Sequence, residues 1–277
     1  MYVATSEMEV MPIECAKPVR PLSRDAFRRL CYELMADIFE IRNELGRIFD
    51  ESVYKRALAL RREDAAWEVP VDVHHGGFIK RYFLDALVAD GAVIEFKTVQ
   101  ALTSRHRGRL LHYLLLTELP AGLLVNLRPE RLQHKFVNAV LSRSDRANYT
   151  VDSGHWDDSI PGAGIVRELI LDLMADWGTS LELELYEDAL TYFLGGANRV
   201  LRRVPVAWNG VCLGDQLLRF ASEDVVVRLT AFESKQDERL FQAHAGRLLA
   251  HTPVTALLWV NCGRHAIRFR SLTSDRK

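Results

Sequence analysis

The sequence has few cysteines, and their spacing is not that of a metal-binding or disulfide framework. Cys15, Cys31, Cys212 and Cys262 are far apart, and no CxxC or CxxH pair occurs. This spacing argues against a structural zinc site and against a disulfide-stapled extracellular fold. It favours a reducing compartment, so we expect a cytoplasmic protein.

The sequence also lacks a long uninterrupted apolar segment. The most apolar stretch, Leu110 to Leu127, is broken by His112, Glu118 and Pro120, so it predicts a helix, a turn and a buried strand instead of a membrane span. Residues 1–14 have neither a basic start nor an apolar stretch, so they do not resemble a signal peptide. We therefore expect no membrane partner.

Several hydrolase signatures are missing as well. No Gly-x-Ser-x-Gly elbow, Walker loop or HExxH helix is present, which leaves serine hydrolases, P-loop NTPases and zinc proteases without support. The formal net charge is only −1. Nucleic acid would therefore have to be attracted by a local basic patch and not by the whole surface.

The 277 residues are enough for two domains of ordinary size, and the chain carries an internal similarity. His106-Arg-Gly-Arg-Leu-Leu111 is answered by His244-Ala-Gly-Arg-Leu-Leu249, and Val69-Pro-Val71 by Val204-Pro-Val206. Leu124-Val-Asn126 and the pair Gly46 and Tyr54 also recur in the same order, as Leu258-Trp-Val-Asn261 and as Gly178 with Tyr186. Ordered matches of this kind indicate a tandem duplication.

The composition between the two similar regions predicts where one domain ends. Residues 142–164 are rich in Ser, Asp, Asn and Gly, which is typical of a linker. We therefore predict a first domain over residues 22–142, a linker over 143–164 and a second domain over 165–272.

Periodicity in the first region predicts a mixed α/β fold. Ser23 is a candidate N-cap of an amphipathic helix that ends at Gly46, and a second helix carries Glu51 and Tyr54 on one face. Strands over 69–74, 79–88 and 92–99 follow, then a helix capped by Thr103 or Ser104, then a buried strand over 122–126. This order favours a mixed sheet flanked by helices over a regular βαβ series.

Two charged residues interrupt the apolar strand Ala92-Val-Ile-Glu-Phe-Lys-Thr-Val99. Glu95 and Lys97 are two apart and share a face of the strand. Such charges are costly to bury unless they are paired or bind a cation. Asp85 joins them if residues 89–91 form a three-residue loop with Gly91 in the left-handed conformation, whereas a two-residue turn puts Asp85 on the other face.

These motifs together resemble the GxxExxY proteins of the PD-(D/E)XK nuclease superfamily. The match spans roughly Arg24 to Asn138, and its motifs stand in the family's order as Asn43-Glu-Leu-Gly46, Glu51-Ser-Val-Tyr54, Asp85 and Glu95-Phe-Lys97. Two positions depart from the pattern, because Ile48 replaces the glycine that opens the GxxE motif and Arg109 stands where relatives often carry glutamine.

The resemblance implies a restriction-endonuclease-like fold and a site for Mg²⁺ or Mn²⁺. It implies Asp85 and Glu95 as metal ligands, Glu51 as a further acidic ligand from the helix, and Lys97 beside the attacking water. These four residues are the predicted catalytic residues of a nuclease that acts on nucleic acid, with DNA favoured.

In the second region the same alignment gives Leu183 for Glu51, Arg219 for Asp85, Arg228 for Glu95 and Thr230 for Lys97. This copy is therefore predicted to be catalytically dead, since arginines oppose a divalent cation. We expect it to act as an in-chain dimer partner, so that further oligomerisation is not required. The alternative is a non-catalytic nucleic-acid-binding or scaffold protein that retains the nuclease fold.

Overall fold

The computed structural model describes residues 12–274 and divides the chain into two compact units, residues 1–143 and 144–277. Glu7, Glu9 and the rest of the first eleven residues lie outside the described part. Within residues 12–274, no helix is both long and apolar enough to cross a membrane.

Between residue 12 and residue 143, the first unit contains a six-stranded sheet with three helices. In chain order its elements are β1 (Ile13–Cys15), α1 (Arg24–Leu45), α2 (Glu51–Ala59), β2 (Ala65–His75), β3 (Phe78–Val88), β4 (Ala92–Lys97), α3 (Ser104–Thr117), β5 (Ala121–Asn126) and β6 (Gln133–Asn138). The strands follow one another across the sheet from β1 to β6. Only β4 and β5 pair in parallel, because α3 connects them. The mixed sheet predicted for this region is confirmed.

The helix ends follow local side-chain chemistry. Ser23 is the N-cap of α1 and its Oγ accepts a hydrogen bond from the Ala26 amide, as its position predicts. Gly46 ends α1 with a φ of 77°, a left-handed conformation that glycine adopts without strain. Thr103 is the N-cap of α3. The predicted boundaries of these two helices are confirmed.

The apolar faces of α1 and α2 pack on one side of the sheet. Their buried residues form one cluster with alternate residues of the central strands, including Ile94 and Phe96 of β4 and Leu123 and Val125 of β5. Because side chains alternate along a strand, Glu95 and Lys97 project from the opposite side. The sheet therefore presents these two charged residues away from the α1 cluster.

The β3–β4 turn decides where Asp85 lies. The register pairs Val88 with Ala92 and Ala86 with Ile94 across a three-residue loop, which sets Asp85 and Glu95 opposite each other and on one face. The loop's left-handed residues are Ala89 and Asp90, with φ of 49° and 54°, so the conformation predicted for Gly91 is wrong.

Position 91 requires glycine because a side chain would not fit there, and not because of its backbone φ angle. A Cβ at this position would collide with the carbonyl oxygen of Arg20 and the side chain of Leu22. The segment that carries Arg20 is held against the loop by a 2.7 Å hydrogen bond from its amide to the Asp90 carbonyl. This close approach comes from residues distant in sequence, which is why the turn pattern alone misassigned the glycine.

The second unit has a four-stranded sheet, a two-stranded sheet and five helices within the described residues. Its elements are α4 (Arg143–Ala147), β7 (Thr150–His155), α5 (Ala163–Trp177), α6 (Leu183–Phe193), α7 (Ala197–Val200), β8 (Leu201–Trp208), β9 (Val211–Arg219), β10 (Val225–Thr230), α8 (Lys235–His251), β11 (Ala256–Cys262) and β12 (Ala266–Thr273). The larger sheet has the order β10-β11-β12-β7, and β8 pairs with β9.

The predicted domain limits differ from the structure at three places. Residues 143–164 contain α4 and β7, and β7 pairs in parallel with β12, so this segment is part of the second unit instead of a linker. Its polar, glycine-rich composition reflects the turns around an edge strand. The first sheet begins before residue 22, because β1 pairs with β2, and β12 continues one residue past 272.

Two local arrangements occur in both units. Tyr54 donates a 2.8 Å hydrogen bond to the Gly46 carbonyl, and Tyr186 donates a 2.5 Å bond to the Gly178 carbonyl. A buried asparagine closes the end of the parallel pairs β4–β5 and β10–β11: the side chain of Asn126 bonds both the amide and the carbonyl of Val99, and that of Asn261 bonds those of Phe232. Each unit thus fixes a helix end with a tyrosine and a strand end with an asparagine.

Candidate functional site

Asp85, Glu95 and Lys97 lie together where β3 and β4 separate. The β3–β4 ladder ends at the pair Ala86 and Ile94, and beyond it β4 pairs only with β5. The carboxylate of Asp85 then accepts a 2.8 Å hydrogen bond from the Phe96 amide. The Asp85 side chain therefore takes the place of a β3 backbone group as the hydrogen-bond partner of β4, at the point where the two strands separate.

Lys97 connects the three predicted carboxylates. Its Nζ lies 2.8 Å from Oε1 of Glu95, 3.7 Å from Oδ2 of Asp85 and 3.8 Å from Oε2 of Glu51. Glu51 is the first residue of α2, so the helix start brings its carboxylate to the sheet. The structure thus brings all four residues predicted for the site into one cluster.

Glu95 is the most deeply buried charged group of this cluster. Its side chain is 2% exposed, and among the described residues its Oε2 has no hydrogen-bond partner. Burial, followed by repulsion from Asp85, raises the pKa of Glu95 to about 7 against the opposing attraction of Lys97 and Arg109. A buried carboxylate with a vacant oxygen is costly, and a cation would offset that cost.

Glu51 experiences the same forces more weakly. Burial and the nearby charge of Asp85 raise its pKa, while Lys97 and Lys55 lower it. Both acidic groups are therefore destabilised by the closeness of Asp85. A further positive charge placed among these carboxylates would stabilise all of them.

Two residues of the cluster were missed at the level of sequence. Lys55 binds Asp85 Oδ1 at 3.0 Å and also contacts Glu68. Lys55 stands four residues after Glu51 in α2, and this i,i+4 spacing could have revealed it. Glu68 could not be found in the same way, because β2 was predicted to start at Val69 whereas it begins at Ala65.

Arg109 borders the cluster from α3. Its Nε lies 3.8 Å from Oε1 of Glu95 and donates a 2.8 Å hydrogen bond to the Tyr113 hydroxyl. The guanidinium also lies over the Tyr113 ring, 5.5 Å from its centre. A half-exposed cation held in this way can contact a phosphate group at the mouth of the site.

The donor set fits a divalent metal ion of the magnesium type. Mg²⁺ prefers oxygen ligands and usually takes one or two carboxylates together with water and substrate phosphate. Asp85 and Glu95 supply such a pair, and the vacant Oε2 of Glu95 is a ready ligand. Among residues 12–274, no group of three or more His, Cys, Asp or Glu side chains is placed so that it could hold a metal ion, so a metal bound by Asp85 and Glu95 would need water and phosphate to complete its coordination.

The corresponding positions of the second unit carry different chemistry. Arg228 is the fourth residue of the six-residue strand β10, as Glu95 is of β4, and it is exposed. Thr230 bonds the side chains of Asn261 and Trp259. Arg219 forms an ion pair of 3.1 Å with Glu187 of α6. No acidic cluster replaces the one in the first unit at these positions.

Comparison with known proteins supports the first unit's assignment. Residues 28–138 match the family model of the PD-(D/E)XK nuclease superfamily, and this match lies within the first unit. The predicted resemblance to the superfamily is confirmed over these residues. Nucleases of this superfamily typically use divalent metal ions.

Similarity to solved structures is weak. The crystal structure of SSO0001 shares 23% identity with a TM-score of 0.27, and the alignment covers 42% of this chain and 63% of that chain. A likeness at this TM-score does not define a common fold. No curated protein matches the chain.

Proposed function

We propose that the chain is a nuclease dependent on Mg²⁺ or Mn²⁺, which hydrolyses phosphodiester bonds of nucleic acid, with DNA favoured. The observation that carries the proposal is Glu95, a carboxylate that is 2% exposed with one oxygen lacking a partner and a pKa of about 7. Lys97 pairs with Oε1 of this carboxylate, and a metal ion at Oε2 would offset the remaining cost of burial. The superfamily match over residues 28–138 supports the assignment, and the preference for DNA rests on that resemblance alone.

In this proposal Asp85, Glu95 and Glu51 hold the metal ion, and because the three side chains are not already arranged as a metal site, they move toward the ion as it binds. When bound, the ion supplies Lewis acidity that lowers the pKa of a water molecule and offsets charge on the phosphate. Lys97, 2.8 Å from Glu95, holds the attacking water and stabilises the negative charge that develops on phosphate oxygen. The water oxygen forms a bond to phosphorus, one sugar oxygen leaves, and the water's protons pass to that oxygen and to solvent.

A nuclease assay with metal removal tests this function. We expect the purified chain to cleave labelled single- or double-stranded DNA or RNA with Mg²⁺ or Mn²⁺, and to lose cleavage when a chelator is added. Gel analysis of the products is the measurement, and restoring the metal is the control. Retention of the oligonucleotide without cleavage under every metal condition would instead support the alternative, a nucleic-acid-binding or scaffold protein.

The second unit is proposed to be a degenerate copy of the first. The repeated Tyr54 and Tyr186 bonds support a common origin, and so does the register, since Lys97 pairs with Asn126 as Thr230 pairs with Asn261. By the same alignment Glu187 and Arg219 correspond to Lys55 and Asp85, so the ion pair survives with its charges exchanged. A site rebuilt in this way keeps its packing and loses its affinity for a cation.

This degenerate copy is the proposed in-chain partner of the first domain. A tethered partner has a high effective concentration, so the chain needs no second copy of itself. We expect sedimentation velocity to show a monomer over a wide range of concentrations. A concentration-dependent dimer would contradict this role.

A further inference from the structure

Lys55 occupies the acidic cluster as a second ammonium group. Its side chain is 13% exposed, and its Nζ lies 3.0 Å from Oδ1 of Asp85 and 3.7 Å from Oε1 of Glu51. It also donates a hydrogen bond to Glu68. A single lysine thus faces three carboxylates, two of which are proposed metal ligands.

The two lysines face different oxygens of the same two carboxylates. Lys55 faces Oδ1 of Asp85 and Oε1 of Glu51, whereas Lys97 faces Oδ2 and Oε2 of the same two residues. Both oxygens of both carboxylates are therefore directed at an ammonium group. A metal ion that binds Asp85 or Glu51 therefore comes close to at least one ammonium group, which repels it.

Glu68 gives Lys55 an alternative partner. The flanking pairs of Trp67 with Ala86 and of Val69 with Leu84 set Glu68 opposite Asp85 on the neighbouring strand. The Glu68 side chain is 56% exposed, so it lies toward solvent. The flexible stem of lysine allows Nζ to release Asp85 while it remains paired with Glu68.

We infer that Lys55 is a built-in cation that competes with the divalent metal ion for Asp85 and Glu51 and so sets the metal affinity of the site. The inference rests on the proposed function, because it takes these carboxylates as ligands. The same contacts have an opposite interpretation, in which Lys55 fixes Asp85 in the orientation that the metal requires. The two interpretations differ in the sign of the change when the positive charge is removed.

Calorimetric titration of the full chain with Mn²⁺ alone measures that sign. Lys55→Met keeps the length of the side chain and removes its charge, and we expect about tenfold tighter Mn²⁺ binding, because an ammonium group within a few ångströms of the ligands no longer repels the ion. Lys55→Arg retains the charge and should bind about as weakly as the unmodified chain. Lys135→Met, an exposed lysine of β6, removes one charge elsewhere and should leave the affinity unchanged.

Thermal unfolding gives a second readout. Without metal, Lys55→Met should unfold at a lower temperature because its carboxylates repel one another. Saturating Mn²⁺ should raise its Tm by more than it raises that of the unmodified chain, since tighter binding stabilises the folded state more. A purely structural role for Lys55 would lower both Tm values and leave the Mn²⁺ affinity unchanged.

The outcomes separate this inference from the proposed function. If the unmodified chain binds Mn²⁺ and Lys55→Met binds it equally or more weakly, Lys55 does not compete with the metal ion. The proposed metal site is not contradicted by that result. Absence of Mn²⁺ binding in both proteins at millimolar metal overturns the proposed metal site together with the inference. Asp85→Ala completes the series, because loss of a ligand should weaken binding in the Lys55→Met background as well.

Discussion

Replacing Glu95 with glutamine is expected to lower the kcat/KM of the proposed nucleic-acid cleavage by about three orders of magnitude. Glutamine preserves the shape of the side chain but cannot supply the negative charge that a divalent ion requires at this buried position. It also changes the group that Lys97 contacts at 2.8 Å, so the lysine near the attacking water is no longer held by a carboxylate. Steady-state cleavage of a labelled duplex, with both proteins at saturating Mg²⁺, measures the effect.

The matched control for this variant is Glu63→Gln, which makes the same chemical change at an exposed residue and should retain full activity. Urea unfolding tests whether lost activity comes from lost structure. Glu95→Gln is expected to fold more stably than the unmodified chain at alkaline pH. Cleavage by Glu95→Gln within tenfold of the unmodified chain would remove Glu95 from the catalytic machinery.

The second large effect is on the stability of the metal-free protein. The buried Glu95 carboxylate lowers the free energy of unfolding by an amount that depends on pH. Burial raises its pKa from the ordinary value of 4.5 to about 7. Below pH 4.5 the carboxyl is protonated in both the folded and the unfolded chain. Between pH 4.5 and 7 only the unfolded chain releases the proton, so stability falls as pH rises, and above pH 7 the full cost remains.

Glu95→Gln lacks this cost at every pH. At pH 8 we expect the variant to exceed the unmodified chain in free energy of unfolding by about 1 to 3 kcal/mol, and this advantage should shrink markedly at pH 5. Urea unfolding of both proteins in a chelator, at the two pH values, provides the comparison. The difference between the proteins cancels the titration of carboxylates outside the cluster, so an equal difference at pH 5 and pH 8 would refute the raised pKa.

Local patterns predicted the parts of the site that depend on neighbours along the chain. The spacing of Glu95 and Lys97 predicted a shared strand face, and Glu51 was correctly expected at a helix. The position of Asp85 remained open, because a loop of two residues and a loop of three both fit Ala89-Asp90-Gly91. The close packing of Arg20 and Leu22 against Gly91 involves chain segments that no local rule compares.

The sequence by itself determined the mixed α/β character of the first region and the helix ends at Ser23 and Gly46, which follow from periodicity and from side-chain chemistry within a few residues. The four clustered charged residues were identified together by the ordered motifs that resemble the nuclease superfamily. The tertiary structure decided that residues 143–164 contribute a strand to the second unit and that Lys55 and Glu68 join the acidic cluster. Strand pairing and charge neutralisation depend on residues distant in sequence, because the register of β2, β3 and β4 together with the packing of α2 brings those side chains within a few ångströms of one another.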